Sequence, residues 1–304
     1  MSSAAHESTA RAILYAFLAN LGIAITKSWA AWLTGSGSML AEAIHSYADT
    51  GNQVLLYLGL KQSSRAPDEK HPLGYGKQSY FWSFIVAMLL FSIGGLFSVY
   101  EGLHKLESPE PLSQIWIALI VLGVAIILET FSLLGCLREI RQMRRNRPFR
   151  DWLRHTRHSA LVVVLGEDIA ALLGLVLAFV FLSLAAVTGN PVYDAIGSMS
   201  IGAILVVISV LLSVRVRSLL VGQSADPEIR DVIDSIIRET PEIERVFKTI
   251  TMQFGPDTML AAKIQLRPEV SLTDAVAIIN GLERRLKEEV AGLRWCFVEP
   301  DVSD

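Results

Sequence analysis

Charged residues are scarce in this sequence of 304 residues: Asp, Glu, Lys and Arg make up 19% of it, whereas hydrophobic residues make up 52%. In soluble proteins charged residues account for about 25% and apolar residues for about 45–50%. Three long runs, 78–100, 169–193 and 195–214, contain no charge at all. Each exceeds the roughly 18 apolar residues that indicate a membrane span. This excludes a purely soluble enzyme and argues against nucleic acid as a partner.

Cysteine is also scarce. The two cysteines, Cys136 and Cys296, give neither a disulfide framework nor a CxxC metal motif. After residue 221 the sequence has no histidine, which excludes a histidine-rich zinc site in that part. The N-terminus lacks the basic segment, short apolar segment and cleavage site of a signal peptide, so we interpret it as a mature first helix.

Six segments have the length and apolarity of membrane spans. They are 12–33, 39–60, 79–103, 112–137, 159–188 and 192–214. Three of the connections between them are short and nearly free of Lys and Arg, whereas the loops after the second and fourth spans are basic. By the positive-inside rule we expect these two loops and both termini on the cytoplasmic side.

Residues 222–304 have the pattern of a small water-soluble domain. Charged and apolar residues recur at helical spacing in 226–239 and 271–290, and segments 246–253, 259–266 and 293–298 are rich in β-forming residues. This predicts the order α-β-β-α-β. Such a short domain has a thin core, which dimerisation would stabilise. We therefore expect an α-helical membrane protein with a membrane domain over 1–221 and an α+β dimerisation domain over 222–304.

Ionisable residues inside spans are costly and therefore point to function. His45 and Asp49 of the second span are four residues apart, so they lie on one helix face. An imidazole and a carboxylate presented together form half of a site for a divalent transition metal. If the second and fifth spans face each other, Asp168 would supply a third ligand, and Glu167 or water a fourth.

Other interpretations of these residues stay open. His45 and Asp49 could hydrogen-bond to each other and hold helices together, or the group could relay protons without a metal. We expect Glu129 to be solvated or paired with an arginine near the cytoplasmic end of the fourth span. We expect Lys27 to snorkel to the outer surface. Glu42 could line the same pathway or serve helix packing.

Two stretches of sequence carry a family resemblance. GSGSMLAEAIHSYADTGNQ at 35–53, followed by DEKHPLGYGKQSYFW at 68–82, resembles the cation diffusion facilitator family of divalent-metal/proton antiporters. Within that family it resembles the divergent branch that includes the mitochondrial-type zinc transporter of animals. The resemblance covers nearly the whole chain. It implies six transmembrane helices, a C-terminal cytoplasmic ferredoxin-like domain, and a homodimer formed through the third and sixth spans and the tail domains.

The resemblance also implies metal ligands. His45 and Asp49 match the ligands of the second span, and Asp168 matches the aspartate of the fifth. The other ligand of the fifth span is missing, because Val164 occupies its position and Glu167 stands beside Asp168 instead. Adjacent helical residues point about 100° apart, so Glu167 would need a helix rotation or distortion to take that place. We expect His45, Asp49 and Asp168 as core ligands and Glu167 as a fourth.

In the loop after the second span, Asp68 and His71 match positions of an accessory metal site in the family. Tyr75 replaces the second histidine of that site. Because tyrosine is a poor zinc ligand, the alternative is a tight turn shaped by Gly74 and Gly76 and capped by His71.

The expected function is export of a divalent transition metal in exchange for protons, by alternating access. Histidine must be neutral to bind a metal and titrates near pH ~6.5, so protons can displace the ion. Imidazole favours zinc, while Co, Fe, Mn and Ni stay open. Short loops and the lack of a targeting extension favour a prokaryotic inner (plasma) membrane.

The alternative is a membrane scaffold or metal sensor that keeps the fold without efficient transport. An enzyme is not expected, because the sequence has neither an HExxH motif nor a nucleophile elbow.

Overall fold

The computed structural model describes residues 2–34, 37–107, 115–144 and 147–303, without the side chains of residues 2–6, 34, 37–42, 44 and 45. Long helices form the membrane domain. They are α1 (Ser2–Thr34), α2 (Gly37–Ser63), α3 (Gln78–Leu89), α4 (Phe97–Glu107), α5 (Ile115–Arg144), the short α6 (Phe149–His155), α7 (Ser159–Thr188) and α8 (Val192–Val221). A π-helical segment, Leu90–Leu96, joins α3 to α4 into one continuous span.

Five helical segments in the described part of the chain are long and apolar enough to cross a membrane. They are Glu7–Leu33, Gln78–Glu107, Ile115–Arg144, Ser159–Thr188 and Val192–Val221. At 27 residues α2 is also long enough, but Asp49, Asn52 and Gln53 make it more polar. Each of the six predicted spans thus corresponds to a helical segment.

Helix α7 lies between α5 and α8, and α1 packs against both α2 and α5. The first half of α7 is almost entirely buried, at residues 159–165, 167, 168 and 170. Polar groups in this half reach neither lipid nor bulk water, so they must find partners inside the bundle.

Glycines let α8 approach the third span closely. A Cβ atom on Gly202 would lie 2.7 Å from the backbone nitrogen of Val99 and 2.8 Å from the carbonyl oxygen of Gly95. Small residues allow this kind of backbone contact between membrane helices. The π-helical segment lies in the same contact with α8, so the third and sixth spans pack together within one chain.

The C-terminal domain contains α9 (Pro227–Arg238), β1 (Ile243–Phe254), β2 (Asp257–Leu266), α10 (Leu272–Glu289) and β3 (Leu293–Pro300). The strand order is β1-β2-β3, with β1 antiparallel and β3 parallel to β2. The predicted order α-β-β-α-β is confirmed. The core between helices and sheet includes Ile233, Ile237, Leu260, Leu282 and Leu286.

The turn between β1 and β2 contacts the loop that precedes α3. Gly255 adopts φ 61° in this turn, and a Cβ on it would lie 2.6 Å from the carbonyl oxygen of Gly76. The Tyr80 hydroxyl donates to the Gly255 carbonyl at 3.3 Å. Arg147 pairs with Asp226, just before α9, at 2.9 Å. Backbone contact, a hydrogen bond and an ion pair thus attach the C-terminal domain to the membrane domain.

Gly202→Ala is expected to lower the thermal unfolding temperature. The new methyl group would press on backbone atoms of Val99 and Gly95, and overpacking of this kind costs about 1–3 kcal/mol. Gly123→Ala in α5 is the matched control, because no described atom lies within 4 Å of its added Cβ and alanine favours helices. Thermal unfolding in detergent, followed by tryptophan fluorescence, measures both. Equal midpoints for the two variants would contradict the close packing.

Candidate metal site

The predicted ligands lie on α2 and α7. Asp49 is half-buried on α2, whereas Asp168 and Glu167 on α7 are 2% and 7% exposed. Helices α2 and α7 contact each other, so these carboxylates come from neighbouring helices. The side chains of His45 and Glu42 lie outside the described residues, and the role of His45 stays a prediction.

Asp168 is held by α5. The Ser132 hydroxyl lies 3.2 Å from each of the two carboxylate oxygens, Oδ1 and Oδ2, and donates to them. Ser132 is itself buried. Because a hydroxyl carries one proton, this contact leaves most lone pairs of the carboxylate for another partner.

Glu167 is held by two amides of α2. Asn52 Nδ2 donates to Oε1 at 3.0 Å and Gln53 Nε2 donates to Oε2 at 2.7 Å. All three side chains are buried. Asn52 and Gln53 follow Asp49 by three and four residues, so they share its helix face. These hydrogen bonds tie α2 to α7 beside Asp168. The sequence interpretation missed both amides, although they stand inside the stretch that carries the resemblance.

The expectation for Glu129 is wrong. It lies at the middle of α5 and is only 2% exposed, and its Oε2 has no hydrogen-bond partner in the described structure. The charges of Asp168, Glu167 and Asp49 act on it. Helix α5 continues to Arg144, past the predicted end of the span at 137. Glu129 therefore lies deep in the bundle instead of near an end.

A spacing along α5 could have identified Glu129. Four buried residues follow one another along α5 at intervals of three, four and three positions, which places them on one helix face. They are Glu129, Ser132, Cys136 and Glu139. Glu139 is the residue on this face that pairs with an arginine: Arg11 Nη2 and Nε donate to its two oxygens at 2.9 and 3.1 Å.

The expectation for Lys27 is also wrong. Lys27 is only 8% exposed, so its side chain does not extend to the surface. Because α1 continues to Thr34, Lys27 lies about two turns before the helix end and remains among the helices.

Four carboxylates, Asp49, Glu129, Glu167 and Asp168, thus gather between α2, α5 and α7. Among the residues whose side chains the structure describes, no three of His, Cys, Asp or Glu are arranged to hold one metal ion. The described groups therefore form a cluster of carboxylates, and the ligand set with His45 stays a prediction.

The loop before α3 is built around Asp68. The Tyr75 hydroxyl donates to Asp68 Oδ2 at 2.6 Å, and the backbone N–H of His71 donates to Oδ1 at 2.8 Å. The hydrogen bond from Tyr75, followed by that from His71, lowers the pKa of Asp68. Gly74 adopts φ 73°, as a tight turn requires. Tyr75 therefore occupies a carboxylate oxygen that an accessory metal would use.

The C-terminal domain offers little to a soft metal. Burial raises the pKa of the Cys296 thiol to about 11, so the thiol is protonated at neutral pH and is a poor metal ligand. This agrees with the absence of histidine from residues 222–304.

Comparisons with known proteins agree with this architecture. Residues 13–221 match the cation efflux transmembrane domain, and residues 225–301 match the cytoplasmic domain of cation efflux proteins. The chain is 34% identical to the mitochondrial proton-coupled zinc antiporter SLC30A9 of Xenopus laevis over 258 residues, which are 84% of this chain and 45% of that protein.

Two further relatives have other names. Metal tolerance protein C4 of Arabidopsis thaliana is 30% identical over 283 residues, 92% of this chain and 61% of that protein. The magnetosome protein MamB of Magnetospira sp. (strain QH-2) is 25% identical over 290 residues, 93% of this chain and 91% of that protein.

The chain spans about half the length of the zinc antiporters that it matches. The match to the transmembrane domain nevertheless covers more than half of this chain, and the cytoplasmic-domain match covers most of the remainder. The chain therefore belongs to the cation efflux family, the cation diffusion facilitators, which are transporters of divalent metals.

Proposed function

We propose that this protein exports a divalent transition metal, with zinc as the preferred ion, in exchange for protons. The proposal rests on one observation: Glu167, beside Asp168 on α7, is held by two amides on the Asp49 face of α2, inside a cation efflux domain. Carboxylates buried at membrane depth are costly and indicate an ion pathway. The flux experiment below distinguishes transport from the alternative, which is a scaffold or sensor without efficient transport.

The proposed ligands are His45, Asp49 and Asp168, with Glu167 as the fourth. Each oxygen of Glu167 accepts one amide hydrogen bond. A carboxylate oxygen has a second lone pair, so Glu167 can face the ion while the amides of Asn52 and Gln53 hold it.

Zinc is proposed from chemistry and from similarity. An imidazole ligand favours zinc over the harder manganese or magnesium ions, and one group of relatives is named as zinc antiporters. The names of the plant and magnetosomal relatives do not mention zinc, and Co, Fe, Mn and Ni are the alternatives to test.

Proton exchange follows from the competition between protons and metal. An imidazole binds metal only when it is neutral, so a proton delivered from the outer side displaces the ion from His45. Alternating access would carry the loaded site from one side to the other. The hydrogen bonds of Glu167 support movement of α2 and α7 as one unit.

We further propose a homodimer that uses the C-terminal domain, with both termini cytoplasmic and the domain boundary at the end of α8, Val221. The cytoplasmic-domain match supports this orientation. A prokaryotic plasma membrane is proposed for the chain, while the zinc antiporter relatives are named as mitochondrial.

Asp49→Ala and Asp168→Asn are each expected to lower zinc uptake into proteoliposomes at least about tenfold, because each removes a charged metal ligand. Asp151→Asn, which changes a half-exposed carboxylate on α6, is the control and should transport normally. A fluorescent zinc indicator inside the vesicles measures the rate. Equal flux in the wild type and Asp49→Ala would favour the scaffold interpretation.

A proton gradient directed out of the vesicles, opposite to the inward movement of zinc, is expected to drive zinc accumulation above equilibrium in the same vesicles. Dissipating the gradient with a protonophore should remove the accumulation, while downhill zinc flux continues. Simultaneous zinc and pH indicators make the measurement. Accumulation that is independent of the gradient would contradict antiport.

Tyr75→His is expected to add one metal ion per chain. The new imidazole would stand beside His71, whose ring centroid is 4.3 Å from that of Tyr75, and within reach of Asp68. Isothermal titration with zinc counts the ions. Tyr75→Phe removes the hydrogen bond to Asp68 without supplying a ligand, and should add none. If the wild-type loop already binds that ion, and His71→Ala removes it, the turn interpretation is wrong.

A further inference from the structure

Glu129 is a buried carboxylate with one oxygen to which none of the described residues donates a hydrogen bond. Its Oε2 is enclosed and has no hydrogen-bond partner in the described structure, and its side chain is 2% exposed. An unsatisfied buried acceptor costs roughly as much as a lost hydrogen bond, and more when it is charged. Folding alone gives no reason for a glutamate at this position.

Glu129 faces the carboxylates of the proposed site. It precedes Ser132 by one helical turn on the same face of α5, and Ser132 donates to both oxygens of Asp168. The charges of Asp168, Glu167 and Asp49 also act on Glu129. Glu129 therefore lies on the face of α5 that meets the carboxylates of α7.

A second oxygen in this cluster also lacks a partner. Gln53 Nε2 donates to Glu167, while Gln53 Oε1 is buried without a hydrogen-bond partner in the described structure. Gln53 is 1% exposed. Two unsatisfied oxygens, on α2 and on α5, thus flank the carboxylates of α7. A cation is bound by oxygen atoms whose lone pairs are not taken up by hydrogen-bond donors. Acidic groups and amide oxygens supply such atoms here.

We propose that Glu129 binds the transported cation together with Asp168, and so makes α5 a third helix of the metal site. This inference rests on the proposed function and adds a ligand outside α2 and α7. It gives the site one more hard oxygen ligand beside the single imidazole. Carboxylate ligands suit manganese, whereas imidazole suits zinc, so Glu129 widens the range of metals that the site accepts.

Glu129→Gln tests the proposal, because the amide keeps the size of the side chain and removes its charge. Zinc and manganese affinities are measured by isothermal titration of the full-length protein in detergent. We expect the manganese affinity to fall at least about tenfold, as for loss of a partner in a metal site, and the zinc affinity to fall less. The ratio of zinc to manganese affinity therefore rises. Unchanged affinities for both metals would overturn the proposal.

Glu139→Gln is the matched control. Glu139 is buried on the same face of α5 but pairs with Arg11, so its substitution should leave the ratio of metal affinities unchanged. The thermal midpoint without metal gives a second readout. Loss of a charge among like charges should leave the midpoint of Glu129→Gln equal or higher. A lower midpoint with unchanged metal affinities would make Glu129 a packing residue and overturn the proposal.

Two further variants complete the test. If Glu129→Gln does not fold, Glu129→Asp keeps the charge but withdraws the oxygens by one methylene, and it should raise the same affinity ratio; an unchanged ratio overturns the proposal. Asp168→Asn separates this inference from the proposed function. If Asp168→Asn loses both metals while Glu129→Gln loses neither, only the role of Glu129 fails. If Asp168→Asn keeps both metals, the proposed site itself fails.

Discussion

Carboxyl groups buried between helices are the constraint on which the membrane domain depends. Removing an ionised carboxylate from water costs several kcal/mol even after relaxation. At membrane depth the cost is roughly 3 kcal/mol or more. Asp168 and Glu167 lie in the most buried part of α7, so they cannot use water to offset this cost. The hydrogen-bond donors that reach them come from α5 and α2. These two side chains of α7 therefore hold three helices together.

The donors that hold these carboxylates are neutral. Ser132, Asn52 and Gln53 orient Asp168 and Glu167 with one hydroxyl and two amides and bring no positive charge that would compete with a cation. Arg11 of α1 pairs instead with Glu139, which lies ten residues, or nearly three helical turns, along α5 from Glu129. Carboxylates that are held in place by neutral donors suit an ion that must bind and then leave.

The departures from the family pattern have structural counterparts. Val164, at the position of the missing ligand, is fully buried in the hydrophobic core together with Leu161 and Leu165, so apolar packing occupies that position. Tyr75, at the position of the missing histidine, satisfies Asp68 with a hydrogen bond. The loop that contains it meets the turn at Gly255. In this chain the loop serves as a contact between the two domains.

The sequence by itself determined the elements whose signal is local. Uncharged runs such as 169–193 identified the spans, and the alternation after residue 221 identified the order α-β-β-α-β, because hydrophobic periodicity depends on near neighbours along the chain. The motifs around Asp49 and Asp168 identified the helices that carry the candidate site.

The tertiary structure alone decided which side chains are buried and which groups hydrogen-bond to them. Glu129 and Lys27 are buried because of how far α5 and α1 extend and which helices surround them. The amides that hold Glu167 stand more than a hundred residues away in the chain, and only packing brings them together.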